Sequence, residues 1–358
     1  MKKLLLTGSN TIHTFNYFQL IEDYFDEIVL ITVTKNEFES QKLTRKYAVY
    51  SSLKNPFNYF TAIHKYQTIL EKEKPDIIHI QQISTYTLLL MKALKKSKLS
   101  IPVVVTAWGS DVLVNPKKGW LYKKMVQYVL NHGDAFTADA QFLADEMQKL
   151  TQKKLPIAIA NFGINVEDIP IRKCNIIYSN RLHKPLYRID KIIIAFSRFV
   201  KHHSDWQLVV AATGTETENL KQLCNTLEID SNVEFIGWVD SKINSENYAK
   251  AKIWVSIPES DATAISLLEA MSMGCIPVVS HLPANKEWIQ NQVNGIVVDN
   301  ADHDFLSEAL LLNQDTVTEI NKEIIAQKGT KEVNRKIFYR IYDDIFSHYP
   351  QMAAHLSI

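Results

Sequence analysis

Short apolar runs alternate with longer amphipathic stretches along the whole chain, and the alternation starts afresh near residue 170. The first series of strand-like runs is Leu4–Leu6, Glu27–Val33, Asp76–Ile80, Val103–Thr106, Ala135–Ala138 and Ile157–Ile159. Helical stretches near Tyr17–Tyr24, Ile63–Glu71 and Thr87–Leu94 separate several of them. The second series is Ile176–Ser179, Leu208–Ala211, Val233–Ile236, Ile253–Ser256 and Pro277–Ser280, with a helix over Ile189–His202 among its spacers. Strand, helix, strand at this rhythm specifies a parallel, doubly wound α/β sheet. Near-continuous apolar strands fit burial on both faces. Two such series predict two domains, residues 1–168 and 169–330, with the Pro-bearing stretch Asn165–Cys174 as linker. An amphipathic helix over Glu332–Phe346 is expected to end the chain, its segment 331–358 packing back toward the first domain.

A chain of 358 residues holds two domains of ordinary size. Its net charge of +1 points to no nucleic acid or strongly anionic target. The charge is uneven, however. Residues 1–170 carry 21 Lys/Arg against 16 Asp/Glu, and the remainder 19 against 23. Cys174, Cys224 and Cys275 have no metal-like spacing and read as reduced, buried thiols of a cytoplasmic protein. The apolar run after Met1 is too short for a signal peptide, and no run approaches the ~18 apolar residues of a membrane helix. A soluble protein, or one peripheral to the inner face of the plasma membrane, is expected.

The most informative stretch is Ser260–Ser280, SDATAISLLEAMSMGCIPVVS. A strand ends before Pro258. A loop of small residues, Ala262, Thr263 and Ala264, then feeds Ile265 and a helix starting near Ser266. Free backbone N–H groups and the positive helix end suit a phosphate there, and small side chains let it approach. Asp261 precedes the turn and Glu269 lies one turn into the helix. Such carboxylates accept hydrogen bonds from sugar or ribose hydroxyls, and would flank a diphosphate rather than face it. A plain helix start with an Asp cap is the alternative.

The run resembles the signature of glycosyltransferase family 4: an acidic residue, a small-residue loop, then L-L-E-A-M-x-x-G-x-P-V-V. Leu267, Leu268, Glu269, Ala270, Met271, Gly274, Pro277, Val278 and Val279 all match, and Ala284–Asn285, Glu287–Trp288 and Asn294–Gly295 resemble the continuation. The first acidic position, usually Glu, is Asp261. The resemblance implies the GT-B fold, two Rossmann-like domains facing across a cleft, the first for the acceptor and the second for the sugar nucleotide. It implies transfer of a hexosyl or N-acetylhexosaminyl group, with retention, from a UDP- or GDP-linked sugar to a hydroxyl. The acceptor would be a saccharide or an undecaprenyl-linked saccharide in surface-polysaccharide assembly (lipopolysaccharide or capsule). It implies no permanently bound cofactor and no required metal.

The resemblance also implies an Arg after the first strand of the second domain, met by Arg181, and a Lys soon after it. Tyr187 stands at that Lys position. Arg188 follows, with Lys184 nearby, and Arg188 is taken as the second phosphate-binding cation. Gly237 resembles the turn beside the nucleobase. Together with Asp261 and Glu269, Arg181 forms the expected catalytic set, and Arg188, Gly237, Thr263, Ala264, Ile265 and Ser266 complete the donor site.

On the acceptor side, the turn Gly8–Ser9–Asn10 follows the first strand, and His13 faces the same region. Trp108 occupies a position where many family members carry His; Trp108 cannot act as a base, which fits a retaining mechanism with no enzymic nucleophile. Asp111 is expected either to touch the acceptor or to cap the next element. His79 reads as a strand-end histidine with a lesser claim on substrate. Lysine clusters at Lys92–Lys98 and Lys117–Lys124, the second enclosing Trp120, Leu121 and Tyr122, suit either an anionic membrane surface or solvated helix faces. Two other functions fit the same sequence: a sugar-nucleotide epimerase, and a non-catalytic subunit that binds sugar nucleotides. A nicotinamide dehydrogenase is disfavoured, because no G-x-G-x-x-G follows the first strand.

Overall fold

The computed structural model describes residues 1–52 and 56–348; the end of the expected 331–358 segment lies outside the described residues. The chain divides into two compact units. Unit 1 comprises Met1–Phe162 with Asn334–Ile358, and unit 2 comprises Gly163–Val333. These crossings differ from the expected 168 and 330. The reason is a short pairing inside unit 2: Ile164 bridges Thr330, its N–H donating to Gly329 O and its carbonyl accepting from Lys331 N, both at 2.9 Å.

Among the described residues, unit 1 holds seven strands: β1 (Lys3–Gly8), β2 (Glu27–Thr32), β3 (Leu43–Ala48), β4 (Ile77–Gln81), β5 (Val103–Thr106), β6 (Ala135–Ala138) and β7 (Ile157–Ile159). All pair in parallel, in the order β3-β2-β1-β4-β5-β6-β7. Unit 2 holds β8 (Cys174–Ser179), β9 (Gln207–Ala211), β10 (Val233–Gly237), β11 (Ala251–Ser256), β12 (Ile276–Ser280) and β13 (Ile296–Val298). Its parallel order is β10-β9-β8-β11-β12-β13. In each sheet the order reverses at one point, β1/β4 and β8/β11. There the connections leave to opposite sides and open a crevice at the carboxyl ends of the strands.

Burial follows the sequence. The inner strands are apolar on both faces and lie in the core, including Leu4–Leu6, Ile28–Ile31, Ile77, Ile78 and Ile80, and Val103–Val105. The edge strand β3, Leu-Thr-Arg-Lys-Tyr-Ala, is largely exposed, so it carries no run of apolar residues to announce it. Two apolar clusters cover the faces of the unit 2 sheet. One packs Phe196, Phe199 and Trp206 on Leu208, Val210 and Val278; the other packs Leu267, Leu268 and Met271 on Tyr178 and Trp254. In unit 1 the helix Lys331–His348 contributes Phe338, Ile341, Tyr342 and Ile345 to a core with Leu4, Phe18, Ile21 and Phe25. Cys224 and Cys275 are buried free thiols, whereas Cys174 is exposed, contrary to expectation, because it starts a strand whose first two residues lie outside the core. Among the described residues, no helix is long and apolar enough to cross a membrane.

Candidate functional site

The β8/β11 reversal places two connections side by side. After β8 the chain runs through Asn180 and Arg181; after β11 it runs through Ile257 to Asp261. The first connection is pinned by His183, a buried imidazole 2.8 Å from Thr217 Oγ1 and 3.1 Å from Ala211 O. Gly214 is required beneath it, since a Cβ there would stand 2.2 Å from His183 O. The second connection is tied to the first where Glu259 N–H donates to Leu186 O at 3.0 Å.

Arg181 then crosses between them. Its guanidinium donates to Asp261 Oδ2 at 2.6 Å and to Ser266 Oγ at 2.9 Å, and lies over the Tyr187 ring, 4.6 Å from its centroid. Burial raises the Asp261 carboxyl above its ordinary range, with the Arg181 charge pulling the other way. Ser266 is on the first turn of the helix Ile265–Ser272, whose N-cap, Ala264, offers no side chain to the helix amides. Thr263 Oγ1 accepts from Trp288 Nε1 at 3.3 Å, which ties the small-residue loop to the segment after β12. Arg181, Asp261, Thr263, Ala264, Ile265 and Ser266 are thus gathered at one helix start.

Glu269, one turn along, is held from one side. Tyr248 Oη donates to Glu269 Oε2 at 3.0 Å, and Asn244 Nδ2 reaches the same oxygen at 3.4 Å. Behind them stands Asn180, whose orientation follows from Trp254. The indole N–H only donates, so Asn180 Oδ1 faces it at 2.9 Å. Asn180 Nδ2 then donates to Tyr248 Oη at 2.7 Å and Asn244 Oδ1 at 2.9 Å. Tyr178 Oη also donates to Asn244 Oδ1, at 2.7 Å. Burial raises the Glu269 carboxyl, and the Tyr248 hydrogen bond opposes that rise.

Two further donor-side candidates are Gly237 and Arg188. Gly237 ends β10 at a register shift with φ +69°, and a Cβ there would meet nothing within 4 Å. Its carbonyl accepts from Ala212 N at 2.7 Å. Arg188 lies on the connection after β8, next to Tyr187. With φ +54° it closes the turn after Tyr187 and lines a pocket of about 560 Å³ with Lys184, Glu216 and Glu259. The Tyr187 ring, at the position where the resemblance implies a Lys, is the group set against Arg181.

In unit 1 the β1/β4 reversal brings together the turn after β1 and the start of the helix Ile12–Ile21. Gly8 is needed for close approach, since a Cβ would stand 2.5 Å from Thr14 Oγ1. Thr14 Oγ1 donates to Ser9 O at 2.7 Å. The His13 ring is stacked on Phe162 and meets Trp108 edge-on, both at 5.3 Å between centroids. Enclosure lowers its pKa, favouring the neutral imidazole. Trp108 Nε1 donates to Gln81 Oε1 at 3.3 Å.

Asp111 does not reach this surface, which corrects the expectation that it touches an acceptor. Its side chain is wholly buried, and its carboxylate accepts from Ile83 N at 2.8 Å and Trp108 N at 3.1 Å. Burial raises its pKa to about 6. The residue fastens the β5 connection to the β4 connection. His79 is likewise interior: Nδ1 lies 2.6 Å from Tyr342 Oη and Nε2 2.8 Å from Thr106 Oγ1. Among the described residues, no three His, Cys, Asp or Glu side chains gather as a metal site.

Known proteins resemble this chain in sequence and in fold. Residues 164–325 fit the family model of group 1 glycosyl transferases, and residues 2–140 the model of glycosyl transferase 4-like domains. Over 332 residues the chain is 26% identical to alpha-monoglucosyldiacylglycerol synthase of Streptococcus pneumoniae, covering 84% of this chain and 74% of that protein. Among solved structures, Anabaena HepE in complex with UDP superposes with a TM-score of 0.77 at 12% identity, over 96% of this chain and all of that one. The lipopolysaccharide outer core galactosyltransferase WaaB superposes with a TM-score of 0.74 at 15% identity, over 97% of this chain and all of that one. The chain belongs to the group 1, family 4-like glycosyltransferases and has their GT-B fold.

The burial of His79 makes a measurable prediction. Burial lowers its pKa from an ordinary 6.5 to about 3, so between these values the proton is bound only by the unfolded chain. Stability is full above pH 6.5 and falls as the pH is lowered. Between pH 6.5 and 4 the loss is about 3 kcal/mol from this group. His79→Asn should flatten that decline by a similar amount. Asp111 acts in the opposite sense and is common to both proteins. Urea unfolding of both proteins at pH 7, 5 and 4 is the check, and parallel declines would show that His79 is not the group responsible.

Proposed function

We propose that the protein transfers a sugar from a UDP- or GDP-linked donor to a hydroxyl of a saccharide or undecaprenyl-linked saccharide, with retention at the anomeric carbon, in surface-polysaccharide assembly. The observation that carries this reading is the convergence of Arg181, Ser266 and the uncapped start of the helix Ile265–Ser272 at the β8/β11 crevice. Backbone donors, a helix end and a guanidinium within one turn suit the oxygens of a diphosphate. HepE, similar in fold, is described with UDP bound.

In this reading the bond between the anomeric carbon and the diphosphate oxygen breaks as the acceptor oxygen bonds to the same carbon. Negative charge grows on the leaving diphosphate, and Arg181 and the helix amides stabilise it, which lowers the barrier electrostatically. The acceptor proton leaves to the departing phosphate oxygen. Trp108 supplies neither nucleophile nor base, consistent with retention. Asp261 holds the Arg181 fork in place, while Glu269, with one carboxylate oxygen already engaged by Tyr248 and Asn244, offers the other to donor hydroxyls. The turn Gly8–Ser9, His13 and Trp108 form the acceptor side.

Glu269→Ala is expected to lose most donor-dependent transfer while melting near the wild-type temperature. Tyr248→Phe removes one of the two bonds orienting that carboxylate; at about 1 kcal/mol for the bond it should lower kcat/KM roughly five-fold. Steady-state kinetics with thermal melts on the same samples separate these effects, and wild-type turnover by folded Glu269→Ala would overturn the assignment.

Arg181→Ala should weaken donor and free nucleoside diphosphate by about ten- to a hundred-fold, the worth of one or two charge-assisted bonds. Nucleoside without phosphate should bind almost as before. Titration calorimetry with the three ligands is the measurement, and equal losses for all three would assign Arg181 to folding.

A further inference from the structure

In a parallel sheet each helix runs back against its strand, so every connecting helix begins at the carboxyl edge, where the site loops lie. In unit 1 the helix Pro56–Glu73 follows β3, and the helix Trp120–His132 follows β5 after the short helix Ser110–Leu113. Both pack against the helix Thr85–Ser97, so they share one face of the sheet. Their starts are where unit 1 exposes large apolar side chains: Phe57 (72% exposed) and Phe60 on the first, Trp120 (69%) and Leu121 (70%) on the second. None of these contributes to a core. They stand at the same edge as Gly8, His13 and Trp108.

The charge beside them runs against helix stability. All eight residues from Lys117 to Lys124, KKGWLYKK, are exposed. The helix starting at Trp120 has no acid in its first turn, which ends on Lys123 with Lys124 next, and Lys117 and Lys118 stand just before it. A helix N-terminus is the positive end of the helix dipole, so cations there are unfavourable and acids favourable. No ion pair among the described residues offsets them; Lys118 only donates to Asn115 Oδ1, at 2.9 Å. A concentration of positive charge around solvent-exposed aromatic and aliphatic side chains complements one kind of surface well: an anionic leaflet, whose headgroups attract the lysines and whose acyl boundary takes the apolar tips.

We propose that this rim of unit 1 docks on an anionic lipid bilayer, with Trp120, Leu121, Phe57 and Phe60 entering the interface and the lysines of 117–124 set against the headgroups. The proposal rests on the reading of the unit 1 carboxyl edge as the acceptor side only in placing a lipid-borne acceptor there; the docking itself needs no substrate. Dispersion of the apolar tips into the leaflet sets the depth, and the lysines set the dependence on salt.

The test is co-sedimentation of the full chain, without donor or acceptor, with vesicles of phosphatidylglycerol and phosphatidylcholine or of phosphatidylcholine alone. Wild type should bind the anionic vesicles at 0.1 M salt and be released toward 1 M, as the screening length falls from about 10 Å to about 3 Å. Replacing Lys117, Lys118, Lys123 and Lys124 with Gln should cut the bound fraction at least ten-fold. Trp120→Ser with Leu121→Ser should cut it comparably while leaving the melting temperature unchanged, because neither side chain is in a core. Turnover of a short soluble acceptor should be the same in all three proteins. Equal binding of wild type to both vesicle types, no binding to either, or unchanged binding by both variants would overturn the proposal. So would a lipid-free dimer in sedimentation velocity that Trp120→Ser with Leu121→Ser abolishes, since the patch would then be an interface between copies. If no sugar transfer is found with any donor, the vesicle result still stands by itself, so the two readings fail separately.

Discussion

The half-buried ion pair between Arg181 and Asp261 holds together the two connections that form the β8/β11 crevice of unit 2. Its two residues lie on different connections, at the point where the strand order reverses, and a 2.6 Å contact draws those connections together. A guanidinium in such a place loses hydration, and it is tolerable only with its donors engaged and its face covered. Asp261, Ser266 and the Tyr187 ring meet that need. The same arrangement holds positive charge beside the uncapped helix start, so the groups that make Arg181 structurally acceptable also aim it.

Glu269 is governed by direction rather than by charge. Trp254 fixes the Asn180 amide, and every subsequent bond in the network points its donor toward the Glu269 carboxylate. Water in place of Tyr248 or Asn244 would satisfy the same oxygen without fixing its orientation. Tyr178 and Trp254 lie on β8 and β11, Asn244 and Tyr248 on the helix Ser241–Lys250, and Asn180 directly after β8, so the carboxylate is oriented from the sheet and a neighbouring helix as well as by its own helix.

Much of this was legible in the sequence where chemistry and periodicity coincide. The inner strands are read correctly because parallel strands buried on both faces are apolar without interruption. The strands β3 and β13 escaped, one because an edge strand can be polar, the other because three residues make no pattern. Arg181 and Glu269 stood out through a motif that resembles a known signature. Asn180, Asn244 and Tyr248 did not, since asparagine and tyrosine carry no spacing signal, and what joins them is the fold. Tyr187 looked like a lost lysine; the structure places it as an aromatic face for Arg181. Asp111 is the reverse case. Its position after a strand invited a substrate role, and only the burial of its side chain shows that its oxygens already serve the Ile83 and Trp108 amides.

A similar argument fixes a proton in unit 1. The Trp108 indole can only donate, so the oxygen it meets on Gln81 is the carbonyl, and the Gln81 amide nitrogen faces His79 Nε2 at 3.2 Å. That nitrogen must then accept, which leaves the proton of the neutral imidazole on Nδ1, donating to Tyr342 Oη. Tyr342 belongs to the helix Lys331–His348, so the last helix of the described chain, through His79 and Gln81, orients the indole that stands edge-on to His13. Protonating His79 would place two donors face to face at Nε2 and break the order of the chain. Burial lowers the pKa of this histidine, which favours the neutral form that this order of bonds requires.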